Sequence, residues 1–301
     1  MVKYTLEKEV DKMIKLVACD LDGTLLDGTH SIPKENAEAI KQLQEKGITF
    51  MSATGRTYDS VVSIFEPHGI TCNHLLVNGA MIADEKGNVL FENPMKLENV
   101  RVVMEIMQGQ DLCYNMYTKE GTCTPDIEKA KREFIEHMKQ HGLEETEIID
   151  VMERNAFCKY EREIKDIDAY LSEKPVIYKM ETFGGNVEVA RKVKKQLSEH
   201  KELALSDSIS ENIEITEVSA QKGTTLMQYI KRIGIKPEEV VVIGDSMNDL
   251  SMMQLFPHSI AVGNATQAIK DAASYVTKTN DEYAVAYIIE TICKAYKSLF
   301  I

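Results

Sequence analysis

Five short runs of Val, Ile, Leu and Ala lie toward the two ends of the chain: KLVACD at 15–20, ITFMS at 48–52, HLLVN at 74–78, EVVVIGD at 239–245 and SIAVG at 259–263. None alternates apolar with polar residues, and each ends in polar or glycine-containing sequence, the pattern of parallel strands covered on both faces. Between the first two runs, Pro33 opens and Gly47 closes a stretch in which Ala37, Ile40 and Leu43 recur at helical spacing, so a strand, helix, strand unit is expected. After Lys222 the alternation returns: TTLMQYIKRIG predicts a helix ending at Gly234, VVVI a strand and NDLSMMQLF the start of the next helix. The fold class implied is α/β, a doubly wound parallel (Rossmann-like) sheet assembled from both ends of the chain.

The middle has a different period. Helical stretches (LENVRVVMEIMQ, DIEKAKREFIEHMKQHG, VEVARKVKKQLSEH) are mixed there with alternating runs such as LCYNMYT, PVIYKMETF and NIEITEV, which suit an antiparallel sheet with one covered face. This predicts an inserted α+β domain at 86–217, with 1–85 and 218–301 forming the core. Asp84-Glu85-Lys86-Gly87-Asn88 reads as a hairpin-type turn near the first crossing.

Composition narrows the function classes. The chain has 301 residues, of which 44% are apolar and 28% charged, as in ordinary globular proteins. Its net charge of −13 repels phosphate backbones and anionic membranes, so neither a nucleic acid nor a membrane is the expected partner. An acidic protein acting on an anion must neutralise it locally, with a cation, a lysine or helix N-termini. The six cysteines include no C-x-x-C and read as reduced and buried. The segment MVKYTLEKEVDKMIK has no apolar run of signal-peptide length, which makes the cytoplasm the expected compartment.

Candidate chemistry sits where the strands end. Asp20 and Asp22, in DLDGTL, put two carboxylates two residues apart at the edge where open α/β sheets bind ligands. Carboxylates so close require a cation or a shared proton. An Asp-rich turn is the bland alternative. VVVIGDSMNDL repeats the theme, with Asp245 at a strand end and Asn248 and Asp249 one turn into a helix. Ser246 and Asn248 could equally be helix caps. Oxygen donors without convergent His or Cys favour Mg²⁺ over zinc. Thr54 and Gly55, opening a helix, offer a hydroxyl and an amide to phosphate oxygens. Lys222, in SAQKGT, could neutralise a phosphoryl group beside these acids.

DLDGTL, ATGR, QKG and GDSMND, in that order, resemble the four motifs of the haloacid dehalogenase superfamily, and the large insertion resembles the cap of its Cof-type sugar phosphatases. The resemblance implies a spatial strand order of 5-4-1-2-3. It also implies that Asp20 attacks phosphorus while Asp22 serves as acid and then base. Mg²⁺ would be held by the Asp20 carboxylate, the Asp22 carbonyl and Asp245, with Asp249 holding a metal-bound water. Thr54, Gly55, Lys222 and Asn248 would grip the phosphoryl group, and Arg56, Asn78 and Gly79 would face the substrate. Asp22 stands where the transport ATPases of the superfamily have Lys, which equips this chain for hydrolysis. The expected activity is therefore that of a Mg²⁺-dependent phosphatase acting on a small phosphorylated metabolite, foremost a sugar phosphate, as monomer or homodimer. A phosphomutase and a non-catalytic phosphometabolite sensor are the rival readings.

Weaker signals remain. His137 and His141 lie four apart on an expected helix without a third ligand. Leu6, Val10, Met13 and Ile14 could form an apolar stripe that packs on the core. Asn264-Ala265-Thr266 matches a glycosylation acceptor but needs a secretory context that the expected cytoplasmic location denies. Tyr117, Tyr178 and Lys179 are polar tips on strand-like runs that could read a sugar or a second phosphate, though ordinary sheet-surface residues look the same in sequence.

Overall fold

The computed structural model describes residues 14–298 except 141, 155–159, 186 and 207–211. The N-terminal stripe before Ile14, the His137/His141 pair, which needs His141, and Cys158 thus lie outside the described residues, wholly or in part. The chain forms two compact units, one made of residues up to Phe91 together with Lys222 onward, the other of Glu92–Gln221.

In chain order the first segment contributes β1 (Leu16–Cys19), α1 (Lys34–Glu45), β2 (Thr49–Ala53), α2 (Tyr58–Phe65), β3 (Asn73–Leu76), β4 (Met81–Ala83) and β5 (Val89–Glu92). The middle unit holds α3 (Leu97–Met107), β6 (Cys113–Thr118), β7 (Gly121–Thr124), α4 (Ile127–Gln140), α5 (Glu145–Arg154) and β8 (Tyr160–Glu163). It continues with α6 (Ile167–Ser172), β9 (Ile177–Phe183), α7 (Val187–Ser198), β10 (Leu203–Ser206) and β11 (Ile213–Glu217). The chain then returns through α8 (Lys222–Arg232), β12 (Val240–Gly244), α9 (Leu250–Leu255), β13 (His258–Ala261), α10 (Gln267–Ala272), β14 (Tyr275–Val276) and α11 (Ala284–Ser298).

The first unit is an α/β fold around an eight-stranded sheet of order β14-β13-β12-β1-β2-β3-β4-β5. The five strands read from the apolar runs are its parallel centre, in the 5-4-1-2-3 order implied by the resemblance. The short β14 and the hairpin strands β4 and β5, which the sequence reading did not include, extend its edges. Continuous apolar runs follow from position: β1 and β12 are buried at every residue, so both faces must be apolar. On one face Leu16, Val240 and Val242 pack with Leu226 of α8 and Met252 of α9. Elsewhere in this unit α1 and α11 lie together, tied by a buried side chain: Asn36 Oδ1 accepts from the Ala286 amide at 3.0 Å.

The middle unit is α+β, with a six-stranded sheet of order β10-β11-β9-β6-β7-β8. Its pairs are antiparallel except β7 with β8. Met116, Met180, Ile213 and Ile215 point to a core shared with Val100 and Val103 of α3 and Val193 of α7. One covered face was expected, but every residue of β6, β9 and β11 is buried. The alternate positions are therefore internal: on that second face Cys113 and Phe183 pack with Ala130 of α4, and the polar residues beside them pair with one another. Lys179 Nζ lies 2.7 Å from Glu214 Oε1 and 3.1 Å from Glu181 Oε2, and sits over the Tyr117 ring at 4.5 Å. Tyr117 donates to Glu181 Oε2 at 2.8 Å, and Tyr178 donates to Glu92 Oε1 at 2.7 Å. These three residues are buried partners within the unit, not exposed tips.

Candidate active site

Asp20 directly follows β1, and the backbone turns sharply after it. Asp22 (φ −71°, ψ 120°) and Gly23 (φ 76°, ψ 0°) have the angles of a type II turn, whose third residue needs positive φ and so favours glycine. A second constraint acts at the same position: a Cβ on Gly23 would stand 2.6 Å from Asp245 Oδ2. Gly244 is equally constrained, since a Cβ there would meet Asp249 Oδ2 at 2.4 Å. A glycine in the turn after β1 and the last residue of β12 thus let carboxylates approach the backbone.

Lys222, the first residue of α8, is fully buried between two of those carboxylates, with Nζ 2.7 Å from Asp20 Oδ1 and 2.7 Å from Asp249 Oδ1. The other Asp249 oxygen accepts from the amides of Asp245 (2.9 Å) and Ser246 (3.2 Å), so Asp249 is fixed in place. Asp20, Asp245 and Asp249 each bring an oxygen within 4.8 Å of the others. Three carboxylates face one ammonium, and Asp20 Oδ2 is buried with no hydrogen-bond partner. Burial raises the Asp20 pKa well above its ordinary value, Asp249 and Asp245 push it further up, and Lys222 opposes them. Burial and Asp249 push Asp245 up to about 6. Burial would lower Lys222, but Asp20 and Asp249 more than reverse this and its pKa rises. Surplus negative charge, an orphaned buried oxygen and an all-oxygen donor set fit a hard divalent cation.

Asp22, half-exposed, is held differently. Arg56 Nε and Nη2 reach its two oxygens at 2.8 Å and 2.5 Å, a bidentate pair, and His30 Nδ1 lies 3.5 Å away. Burial works against ionisation here, but the Arg56 bonds and charge outweigh it, so the Asp22 pKa lies below its ordinary value. Arg56, expected to face the substrate, is in this structure the partner of Asp22.

Thr54 follows β2, the neighbour of β1 in register (Cys19 opposite Ser52), and its Oγ1 accepts from the Arg56 amide at 3.2 Å. Gly55 lies against Asn78, whose Oδ1 a Cβ would meet at 2.8 Å. Asn78 occupies a left-handed conformation (φ 58°) and accepts from Asn248 Nδ2 at 3.3 Å. Asn248 Oδ1 in turn accepts from Ser246 Oγ at 2.8 Å, and Ser246 with Asp249 forms the capping box of the following turn. The cap reading of Ser246 therefore holds alongside the acid cluster. The Gly79 carbonyl is taken by Thr225 Oγ1 at 2.6 Å.

Residue reasoning missed three contributors. Thr24, inside the DLDGTL motif, donates to Asp245 Oδ1 at 3.4 Å. His30, a lone histidine on an exposed loop, carried no signal. Asn264, read only as part of an acceptor triplet, donates to the Gly23 carbonyl at 2.7 Å.

Residues 17–289 match the family model of the haloacid dehalogenase-like hydrolases. Similar curated proteins include the phosphatase YwpJ of Bacillus subtilis, 30% identical over 92% of this chain and 99% of that one. Another is the 5-amino-6-(5-phospho-D-ribitylamino)uracil phosphatase YwtE of the same organism, 30% identical over 93% and 98%. HMP-PP phosphatase of Serratia proteamaculans is 27% identical over 86% and 87%. Among solved structures, a haloacid dehalogenase-like hydrolase from B. subtilis superposes with a TM-score of 0.76 at 29% identity, over 92% of this chain and 99% of that one. The chain belongs to the haloacid dehalogenase-like hydrolases, in their Cof-type branch. It is a phosphatase, a phosphoric monoester hydrolase. Among the described residues, no helix is long and apolar enough to cross a membrane.

Proposed function

We propose that this phosphatase is Mg²⁺-dependent, that it works through an aspartyl phosphate on Asp20, and that its substrates are phosphomonoesters of small metabolites, foremost sugar phosphates, met in the cytoplasm. The observation carrying the reading is Asp20 Oδ2, a buried carboxylate oxygen at a strand end with no partner. Asp20, Asp245, Asp249 and the Asp22 carbonyl would hold the cation, directly or through water. Bound there, Mg²⁺ supplies the positive charge that lets a phosphate dianion approach three carboxylates.

The Lys222 ammonium, bonded to one oxygen of Asp20, fixes the direction of the carboxylate, the alignment that in-line attack on phosphorus needs. Thr54, Gly55 and Asn248, with the Lys222 charge, bind the phosphoryl oxygens. Asp22 in its Arg56-bound form is ionised, the state needed to take a proton from the water that hydrolyses the acyl phosphate. To protonate the leaving alcohol it must first loosen that pair and take up a proton from solvent, and an incoming phosphate is an anion able to compete for Arg56. The middle unit would act as the cap that selects the substrate.

A phosphate-release screen with Mg²⁺ and with EDTA tests this. It should span sugar phosphates and the phosphate esters named for the relatives, with the Asp20→Asn protein alongside. Release by wild type alone, lost in EDTA, is expected. Equal release by both proteins would discard the assignment of Asp20, and undiminished release in EDTA would discard the metal. Turnover of a pure sugar phosphate without free phosphate would make the enzyme a mutase.

A further inference from the structure

The loop that carries Asp20 and Asp22 belongs to neither a regular helix nor a strand, so its carbonyls need partners from elsewhere. Three asparagines supply them. Asn264 Nδ2 donates to the Gly23 carbonyl at 2.7 Å, Asn36 Nδ2 to that of Leu25 at 3.0 Å and Asn280 Nδ2 to that of Leu26 at 2.9 Å. Asn264 and Asn280 are also joined, because the Asn280 amide donates to Asn264 Oδ1 at 3.0 Å. That bond fixes which end of the Asn264 side chain faces the loop: the oxygen is committed to Asn280, so the NH₂ must face Gly23. The same segment reaches the second acid strand, where the Thr266 amide donates to the Asp245 carbonyl at 3.0 Å. One short stretch, 264–266, therefore touches the backbone of both acid-bearing strand ends.

We propose that Asn264 is a positioning residue of this phosphatase: it holds the Gly23 carbonyl so that the turn keeps Asp22 and Asp20 in their working relation. Its side chain touches neither carboxylate and acts through the peptide between Asp22 and Thr24. Asn264 is exposed, so its bond adds little to global stability, whereas a displaced turn moves a reacting group. A shift of about 1 Å at such a group can cost ~10²-fold in rate.

The test rests on the phosphatase activity and uses Asn264→Asp beside Asn264→Ala. The Asp variant keeps the oxygen that accepts from Asn280 but faces the Gly23 carbonyl with a second acceptor. With p-nitrophenyl phosphate in Mg²⁺, Asn264→Asp should lose about 10-fold to 10²-fold in kcat with KM within about twofold, at least as much as Asn264→Ala. That order, the closer mimic being no better than the truncation, is not what a space-filling role would give. Independently of turnover, hydrogen exchange of the Leu26 amide, bonded across the turn to the Leu21 carbonyl, should quicken at least about tenfold in the metal-free Asp variant. Wild-type kcat in Asn264→Asp, or unchanged Leu26 exchange, would overturn the proposal. The exchange arm decides the matter even where the chromogenic ester is turned over slowly, so a failure of the inference and a failure of the functional reading are told apart.

Discussion

Each unit buries one lysine between two carboxylates, and the two triads differ in what is left over. In the middle unit Lys179 sits between Glu181 and Glu214, and every one of the four carboxylate oxygens has a partner: Lys179 and Tyr117 on one Glu181 oxygen, Asn212 on the other, Lys179 and Ser206 on those of Glu214. The unpartnered group beside it, the Asn115 amide, is neutral. In the first unit Lys222 sits between Asp20 and Asp249, but a third carboxylate, Asp245, stands close by and Asp20 Oδ2 has no partner. A buried lysine flanked by acids is thus not itself a mark of function. The surplus of charge and the orphaned oxygen are, because a fold that only needed stability would satisfy both.

The sharpest break of that comparison is at Asp20. Asp20→Asn should lower phosphate release by more than about 10³-fold, beyond what removal of one electrostatic donor costs, as single-turnover assays would read. Lys222→Met and Lys179→Met then separate the triads. Lys179→Met should cost about 3–5 kcal/mol by urea unfolding, with or without Mg²⁺, because it strands two buried glutamates. Lys222→Met should cost about 10²–10³ in kcat, and its melting temperature should rise with added Mg²⁺ as a bound cation offsets the lost ammonium. Equal responses of the two variants to Mg²⁺ would erase the distinction.

A smaller effect lies within the first unit. His74, buried beside Ser52 (2.8 Å) and Phe65 (ring centroids 5.4 Å apart), has its pKa lowered by burial to about 4 from 6.5. The unfolded chain therefore takes up this proton first on acidification. Stability is complete above pH 6.5 and falls as pH drops toward 4, by on the order of 3 kcal/mol from this group. Unfolding midpoints at pH 7 and pH 4.5 should show that fall in wild type and a reduced one in His74→Phe. Smallest is Arg56→Lys, which keeps the charge but not the two-pronged bond to Asp22; a drop of about tenfold in kcat/KM is expected in steady-state assays.

Much of the first unit was legible because its strands are buried on both faces, so VVVI and LVAC could hardly be anything else. The acids of the site were legible as well: Asp20 and Asp245 directly follow β1 and β12, and Asp22 and Asp249 lie in the turns after them, the edge where open α/β sheets bind ligands. Reading failed where polar residues satisfy each other. Alternation in β6, β9 and β11 signals a wet face, and nothing local says that α4 will pack on it or that Lys179 and Glu214, 35 residues apart, will satisfy each other there. Nor does a one-dimensional pattern show that Asn264 will reach Gly23, 241 residues away.

The chain by itself determined which segments become parallel strands, where its acids stand on them and that glycines precede or follow those acids, since each of these is a local matter of period, residue type and backbone angle. Tertiary structure alone decided which carboxylate oxygen is taken by Lys222 and which is left bare, that Arg56 holds Asp22, and that asparagines from distant loops fix the turn between them. Those contacts join residues 34, 202 and 241 positions apart, and pairing at such range depends on how whole elements pack, which no neighbouring residue records.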